Sequence, residues 1–373
     1  MSLLFSPFKL KSPGGGLELV NRIVVAPMCQ YSCIDGEAAD WHLAHWTSLL
    51  NSGAGLMTIE ATGVTAHGRI TPDCLGLWDD RTELALGSTL ARARKLAPAM
   101  PVCIQLSHAG RKASSAAPWH GGQLLGPDQG GWQSVAPSAL PQLPGEAPPT
   151  ALTLAQMAQI RDAFAVAAQR ALRIGIDAIE LHGAHGYLLH QFLSPLANQR
   201  SDDYGGSLEN RMRFPLEVFA AVRQVFAGPL GIRVSATDWV EGGWDLAQTV
   251  EFARRLKALG CDFIHVSTAG VSPLQKIPVG PAFQVPFASA VRRACGLPVT
   301  AVGLITEPQQ AEDILQSGDA DLIALARALL YKPRWPWEAA AALNGQVTAS
   351  APYWRCLPRP AQAIFGNVRI GQR

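Results

Sequence analysis

Two histidines and a tyrosine stand close together in the segment His182-Gly-Ala-His185-Gly-Tyr187. Histidines at this spacing could bind a metal ion, although no third ligand follows at a matching helical spacing. They could instead donate hydrogen bonds to a carbonyl or nitro oxygen, with Tyr187 as a proton donor. The third interpretation is structural, with loop histidines that are satisfied by the backbone. Taken alone, the three residues leave these alternatives open.

Three more polar residues lie in or directly after short apolar runs. Arg233 ends such a run, where a charge is costly unless it is paired. It could stabilise a ring that becomes anionic on reduction, or form a salt bridge with Glu60 or Glu180. Gln105 can donate and accept at once, which suits an amide-like edge such as a flavin pyrimidine ring, or it is a satisfied loop-end amide. Cys29 could be a nucleophile, a redox-tuning thiol or an inert buried residue.

Residues that could hold a phosphate follow the last two apolar runs. Gly303 allows the backbone to approach a ligand closely. Ala326 and Arg327 open a short helix, whose first turn offers N–H groups beside a guanidinium. The loops after strands seven and eight of a (β/α)8 barrel commonly bind phosphate. We therefore predict a phosphate site here, the alternative being a surface arginine at a helix start.

Short apolar runs alternate along the chain with longer helical patterns, which predicts a parallel sheet buried on both faces. The predicted strands are residues 23–26, 56–60, 102–106, 178–181, 230–234, 263–266, 299–302 and 322–325. The predicted helices are residues 40–52, 82–97, 153–174, 208–226, 247–259, 287–294, 308–317 and 337–343. The carboxyl ends of parallel barrel strands meet at one mouth, so the polar residues described above are expected to converge there.

These eight strand–helix units predict an α/β fold, a single (β/α)8 TIM barrel over residues 1–345. It has long loops after strands three and four. The first, residues 107–152, is rich in Gly, Pro, Ser and Trp and is predicted to cap the mouth; the second spans residues 182–207. Residues 346–373 are predicted to be a C-terminal tail. A doubly wound sheet is the alternative, but no strand is followed by the Gly-x-Gly-x-x-Gly turn that binds dinucleotides.

Composition excludes several classes of protein. The chain has 373 residues with 31 Lys+Arg and 29 Asp+Glu, and no basic block, which argues against a nucleic acid or an anionic membrane as partner. The apolar stretches are too short to cross a membrane, and the first eleven residues do not resemble a secretory signal. Seven cysteines, an odd number without a Cys-x-x-Cys pair, disfavour a disulfide framework, a zinc ribbon or an iron–sulfur cluster. We expect a cytoplasmic location.

Taken together, the motifs are far more specific than any one of them. The chain contains Ala26-Pro-Met-Cys-Gln-Tyr31, Gln105-Leu-Ser-His-Ala-Gly-Arg-Lys112, Glu180-Leu-His-Gly-Ala-His-Gly-Tyr187 and Asp203-Tyr-Gly-Gly-Ser-Leu-Glu-Asn-Arg211. In this order they resemble the Old Yellow Enzyme family. The resemblance is to its NADPH dehydrogenase and ene-reductase branch (xenobiotic reductase-like), in which a cysteine follows the first strand, and it extends from about residue 5 to residue 327.

The resemblance implies an enzyme that holds FMN without a covalent link and takes hydride from NADPH. It implies that the isoalloxazine is lined by Ala26, Pro27, Met28, Cys29, Ala61, Gln105 and Arg233, and that the phosphate is held by Gly303, Ala326 and Arg327. No metal is implied.

The resemblance further implies a ping-pong cycle in which hydride passes through flavin N5 to a small molecule: an enone, enal, maleimide or nitroalkene. His182 and His185 would bind the oxygen of the activating group and Tyr187 would supply the proton. Tyr31 would help to orient the substrate.

Some relatives insert a C-terminal arginine or tryptophan into the site of a neighbouring subunit. The matching region here is Tyr353-Trp354-Arg355, and Arg355 is the predicted residue. A homodimer or a higher homo-oligomer is therefore expected.

Two other classes of function remain open at this point. One is a metal-dependent barrel hydrolase with His182 and His185 as ligands. The other is a non-catalytic flavin redox sensor with Cys29 as its switch.

Overall fold

Eight parallel strands close into a barrel, as predicted. The computed structural model describes residues 2–357, 359–368 and 371. Barrel order follows chain order, β3-β4-β5-β8-β9-β10-β11-β12, and β12 pairs with β3 to close the sheet. The strands are β1 (Phe8–Leu10), β2 (Leu17–Leu19), β3 (Ile23–Val25), β4 (Leu56–Gly63), β5 (Val102–Ser107), β6 (Val135–Ala136), β7 (Thr150–Ala151), β8 (Ala178–Gly183), β9 (Leu230–Ser235), β10 (Phe263–Ser267), β11 (Val299–Ala301) and β12 (Leu322–Leu325).

The helices surround the barrel. They are α1 (Asp40–Leu50), α2 (Asp80–Lys95), α3 (Leu154–Arg173), α4 (Leu188–Leu193), α5 (Leu208–Val225), α6 (Leu246–Ala258), α7 (Val285–Cys295), α8 (Pro308–Gln316), α9 (Arg327–Tyr331) and α10 (Trp335–Leu343). Short 3-10 helices lie at Ala66–Gly68, Gly110–Lys112, Pro118–His120, Pro127–Gln129, Ala351–Tyr353 and Arg359–Phe365. No helix in the described ranges is both long and apolar enough to cross a membrane.

The structure contains elements that the sequence did not predict, among them a helix and a hairpin. The loop after the fourth barrel strand contains helix α4, whose six residues are all buried. Because this short helix is buried on every side, its sequence shows no amphipathic period, so the pattern missed it. The antiparallel hairpin β1–β2 was missed as well, because each of its strands has only three residues.

The hairpin closes the amino-terminal end of the barrel. Leu10 and Leu19 join a buried cluster with the side chains that fill the lower barrel, among them Cys103, Ala178 and Phe263. Gly231 lacks a side chain in this layer because the Phe263 ring lies where its Cβ would project, at 2.5 Å. Apolar packing thus plugs this end, and polar residues of the interior lie nearer the other end.

The C-terminal tail packs against α10. Val347, Ala349 and Phe365 share a buried cluster with Trp337 of that helix. The Ser350 hydroxyl donates to Asn51 Oδ1, at the end of α1. The carboxyl end of a barrel helix leads into the start of the next strand. It therefore lies at the amino-terminal side of the barrel, away from the mouth.

Candidate active site

A buried polar network crosses the barrel interior. Gln105 Nε2 donates to Glu180 Oε1 over 2.7 Å, and His265 Nδ1 lies 2.9 Å from Glu180 Oε2. Burial alone would raise the pKa of Glu180, but His265, Arg233 and the Gln105 amide outweigh it and lower this pKa. Glu180 is therefore ionised and holds the Gln105 amide in one orientation. The second amide hydrogen and the oxygen of Gln105 remain available to a ligand.

Among the described residues, Arg233 forms no direct salt bridge with Glu60 or Glu180, the two structural partners that its sequence position suggested. Its charge is attracted by Glu180, whereas the alternative partner, Glu60, lies 3.3 Å from His42 Nε2. The Arg233 side chain is buried, and its Nε has no hydrogen-bond partner among the described residues. Because a buried donor without a partner is costly, this guanidinium is arranged for a bound group.

The predicted phosphate residues share one cavity with Arg233. The cavity has a volume of about 220 Å³, and its lining includes Gly303, Ala326 and Arg327. Its described lining contains two arginines and no acidic side chain. Gly303 has a φ of 119°, and a Cβ on it would lie 2.4 Å from Gln284 Nε2. Both the positive φ and the nearby Gln284 side chain favour glycine here, so no side chain of its own covers the backbone at this position.

These residues fit FMN. The cavity offers positive charge and a side-chain-free loop to a phosphate, while Arg233 and Gln105 offer hydrogen bonds to a heterocyclic edge. Like Arg233 Nε, the buried ring nitrogen His265 Nε2 has no hydrogen-bond partner in the described residues.

The loop after β3 carries Ala26 to Tyr31 to the same mouth. Its Gln30 N–H donates to Glu60 Oε2 over 2.8 Å, which ties the loop to β4. A register shift between Ile59 and Ala61 in β4 brings Glu60 into this position. Cys29 and Tyr31 pack around buried Ala61 in a small apolar cluster that includes Tyr187. Burial raises the pKa of the Cys29 thiol, which works against a reactive thiolate.

His182, His185 and Tyr187 converge, as their spacing suggested. The two histidine ring centroids are 5.2 Å apart, and the Tyr187 ring lies 4.8 Å from that of His182. His185 has a φ of 57°, and such outliers concentrate at functional sites. Burial, followed by the charge of Arg233, lowers the pKa of both histidines, so they are neutral N–H donors. Burial raises the pKa of Tyr187, which keeps its phenol protonated.

Lys112 is a site residue that the sequence analysis did not select. Its Nζ lies 5.0 Å from the Tyr187 ring centroid and donates to His185 O and Gly270 O. Burial lowers the pKa of Lys112 to about 8. It therefore fixes the histidine loop beside the phenol ring. Its place in the run Gln105–Lys112 was visible, but its partners lie 73 and 158 residues away.

Arg355 is not brought to the mouth of its own barrel. It is exposed on the tail, directly after Trp354, whose indole donates to Ala349 O. The preceding Ser350 is bonded to Asn51 at the opposite end of the barrel.

Among the described residues, no three His, Cys, Asp or Glu side chains converge in a way that could hold a metal ion. His182 and His185 therefore lack the further ligands that a hydrolase would need.

Comparison with known proteins shows similarity over nearly the whole chain. Residues 3–346 match the model of the NADH:flavin oxidoreductase / NADH oxidase family. The chain is 43% identical over 356 residues to an NADPH dehydrogenase of Geobacillus thermodenitrificans, which covers 95% of this chain and 98% of that protein. An NADPH dehydrogenase of Halalkalibacterium halodurans is 43% identical over 354 residues, covering 94% and 98%. Among solved structures, morphinone reductase in complex with tetrahydroNAD superimposes with a TM-score of 0.74 at 28% identity, covering 94% of this chain and 93% of that one.

Proposed function

The chain belongs to the NADH:flavin oxidoreductase / NADH oxidase family and is an FMN-dependent oxidoreductase, and from this premise we propose that it uses NADPH to reduce activated C=C bonds. The substrate class is enones, enals, maleimides and nitroalkenes. The observation that supports the proposal is the convergence of two neutral histidines and a protonated tyrosine. Arg233 stands next to His182 on the neighbouring strand.

Each side chain has a defined task in this proposal. Arg233 and Gln105 hold the heterocyclic edge of FMN, and the loop at Gly303 with Ala326 and Arg327 holds its phosphate. The chemistry that FMN supplies when bound is hydride transfer, first from NADPH and then to the β-carbon of the acceptor.

The histidine pair binds the oxygen that activates the double bond. Ala184 N–H points at His182 Nδ1, 3.3 Å away, so the single proton of neutral His182 lies on Nε2. The ring N–H groups of the two histidines are already in position to stabilise the negative charge that develops on the substrate oxygen. Because burial disfavours the phenolate, the Tyr187 hydroxyl stays protonated and can donate its proton to the α-carbon of the acceptor.

Replacing Gly303 with Ala should reduce FMN affinity about tenfold. A side chain at this φ costs about 1–3 kcal/mol and its Cβ would meet Gln284 Nε2 at 2.4 Å, so the FMN-free loop should relax to a conformation that must be reversed on binding. Equilibrium dialysis against FMN measures the effect. The matched control is Gly280→Ala, where nothing lies within 4 Å of the added Cβ. Equal affinity of the G303A variant and the wild type would remove this loop from the phosphate site.

We also propose that Arg355 completes the site of a neighbouring subunit, since it is exposed and held away from its own mouth. An Arg355→Ala chain and a His182→Ala/His185→Ala chain should each be nearly inactive. Mixed dimers should regain about one quarter of wild-type activity, because half of the dimers contain one intact site. The measurement is NADPH-dependent enone reduction after co-refolding, and no recovery would mean that Arg355 does not act across an interface.

The proposed function is tested by initial-rate kinetics with NADPH and 2-cyclohexenone. A single mouth cannot hold both substrates at once, so double-reciprocal plots should be parallel. Intersecting lines would require both substrates to be bound together and would contradict the shared site. A protein that binds FMN but turns over no acceptor would favour the redox sensor instead.

A further inference from the structure

Ser267, the last residue of β10, contacts His185 from inside the barrel. Its Oγ lies 2.8 Å from His185 Nε2 and 3.2 Å from Gln284 Oε1. Thr268 Oγ1 donates to the same Gln284 oxygen over 2.7 Å. Ser267 is only 4% exposed and Gln284 6%, so these bonds form away from bulk water.

The hydroxyl of Ser267 has one proton and two acceptors within reach. Neutral His185 has one ring proton, and an Nε2 that accepts from Ser267 leaves that proton on Nδ1. The Gln284 oxygen already receives the proton of Thr268, over a shorter distance than that from Ser267. The Gln284 oxygen therefore has a donor without Ser267, whereas Ser267 is the hydrogen-bond partner that the described residues give to His185 Nε2, at the shorter distance of 2.8 Å.

We infer that Ser267 donates to Nε2 of His185 and thereby fixes the imidazole proton on Nδ1, the ring nitrogen that Ser267 does not engage. Ser267 is a positioning residue that makes His185 a donor toward the ligand oxygen. The two histidines then present opposite ring nitrogens, Nε2 of His182 and Nδ1 of His185, to one atom. The role toward a ligand rests on the proposed function, whereas the position of the proton does not.

Gln284 extends this arrangement to the cofactor side. Its Nε2 donates to Val302 O over 3.1 Å, next to Gly303. The amide is thus held in one orientation, with its oxygen toward Thr268 and Ser267. Thr268 is the residue that decides where the Ser267 proton goes, although it is not itself bonded to His185 in the structure.

The test reads the tautomer of His185 in the FMN-loaded protein without substrate. Long-range ¹H–¹⁵N correlation of histidine-labelled protein distinguishes the two ring nitrogens, and His185→Asn assigns the signals. We expect the Nδ1–H form in the wild type and in Thr268→Ser. Thr268→Val should shift His185 to the Nε2–H form, because Gln284 then recruits the Ser267 hydroxyl. An Nε2–H wild type, or a T268V variant without a shift, would overturn the inference.

A second measurement separates this inference from the proposed function. The kcat/KM for 2-cyclohexenone should fall about tenfold in Ser267→Ala and T268V, because an aligned donor to the oxyanion is lost. It should be unchanged in T268S, and all variants should retain FMN. The expected tautomers with unchanged kcat/KM would leave the proton assignment intact and remove His185 from the proposed reaction.

Discussion

The double variant His182→Ala/His185→Ala is expected to lose kcat/KM for 2-cyclohexenone by roughly 10²–10³-fold, since each preorganised donor to a developing oxyanion contributes strongly to catalysis. FMN content should stay nearly intact, because the phosphate cavity and Arg233 lie on other strands. Neither imidazole is charged in the site, so the variant changes hydrogen bonding rather than net charge. Steady-state kinetics and the flavin-to-protein absorbance ratio measure the two effects.

The control for this variant is His120→Ala, at an exposed histidine of the long loop after β5, which should behave as the wild type. Loss of flavin from the double variant would instead give the histidines a role in holding the cofactor.

The second large effect is expected at Arg233. Its replacement by Met should weaken FMN binding by roughly 10²-fold, since a hydrogen bond from a charged donor contributes about 1.5–3 kcal/mol. The stability of the FMN-free protein should change little. The attraction between Arg233 and Glu180 is lost, but so is the desolvation cost of a buried guanidinium. Glu180 also keeps its hydrogen bonds to Gln105 and His265. Unfolding with and without FMN, followed by circular dichroism, separates the two contributions.

In the proposed arrangement, loss of this charge should also make the flavin harder to reduce, because the negative charge gained on reduction would lie beside Arg233. We expect the midpoint potential to fall by roughly 30 mV for each 1.4 kcal/mol of lost stabilisation. Arg233→Lys retains the charge without the planar fork, so it should preserve the potential better than the affinity. An R233M variant with wild-type potential would place this guanidinium away from the ring.

The convergence of the site could be predicted from sequence because it follows from two rules. Apolar runs without alternation indicated parallel strands, and the carboxyl ends of such strands share one face. This is why Gln105, Arg233 and His182, each from a different strand, could be expected near one another. The fold prediction is confirmed by the closed barrel.

The hydrogen bonds within the site could not be predicted in this way. Lys112, Ser267 and Gln284 look ordinary in sequence, and their partners lie on other strands and loops. Which nitrogen of His185 holds the proton depends on distances of a few tenths of an ångström between such groups. Helix α4 was missed for a related reason, since burial on every side removes the period that marks a helix.

The central claim is that NADPH and the acceptor use the same mouth in turn. Its most direct test is the visible spectrum of the purified protein, recorded without oxygen while the flavin is reduced and then reoxidised once. We predict a yellow protein with FMN absorbance that bleaches on addition of one equivalent of NADPH and returns on addition of one equivalent of 2-cyclohexenone. A protein that takes up no FMN, or a bleached flavin that the enone does not reoxidise, would contradict the account.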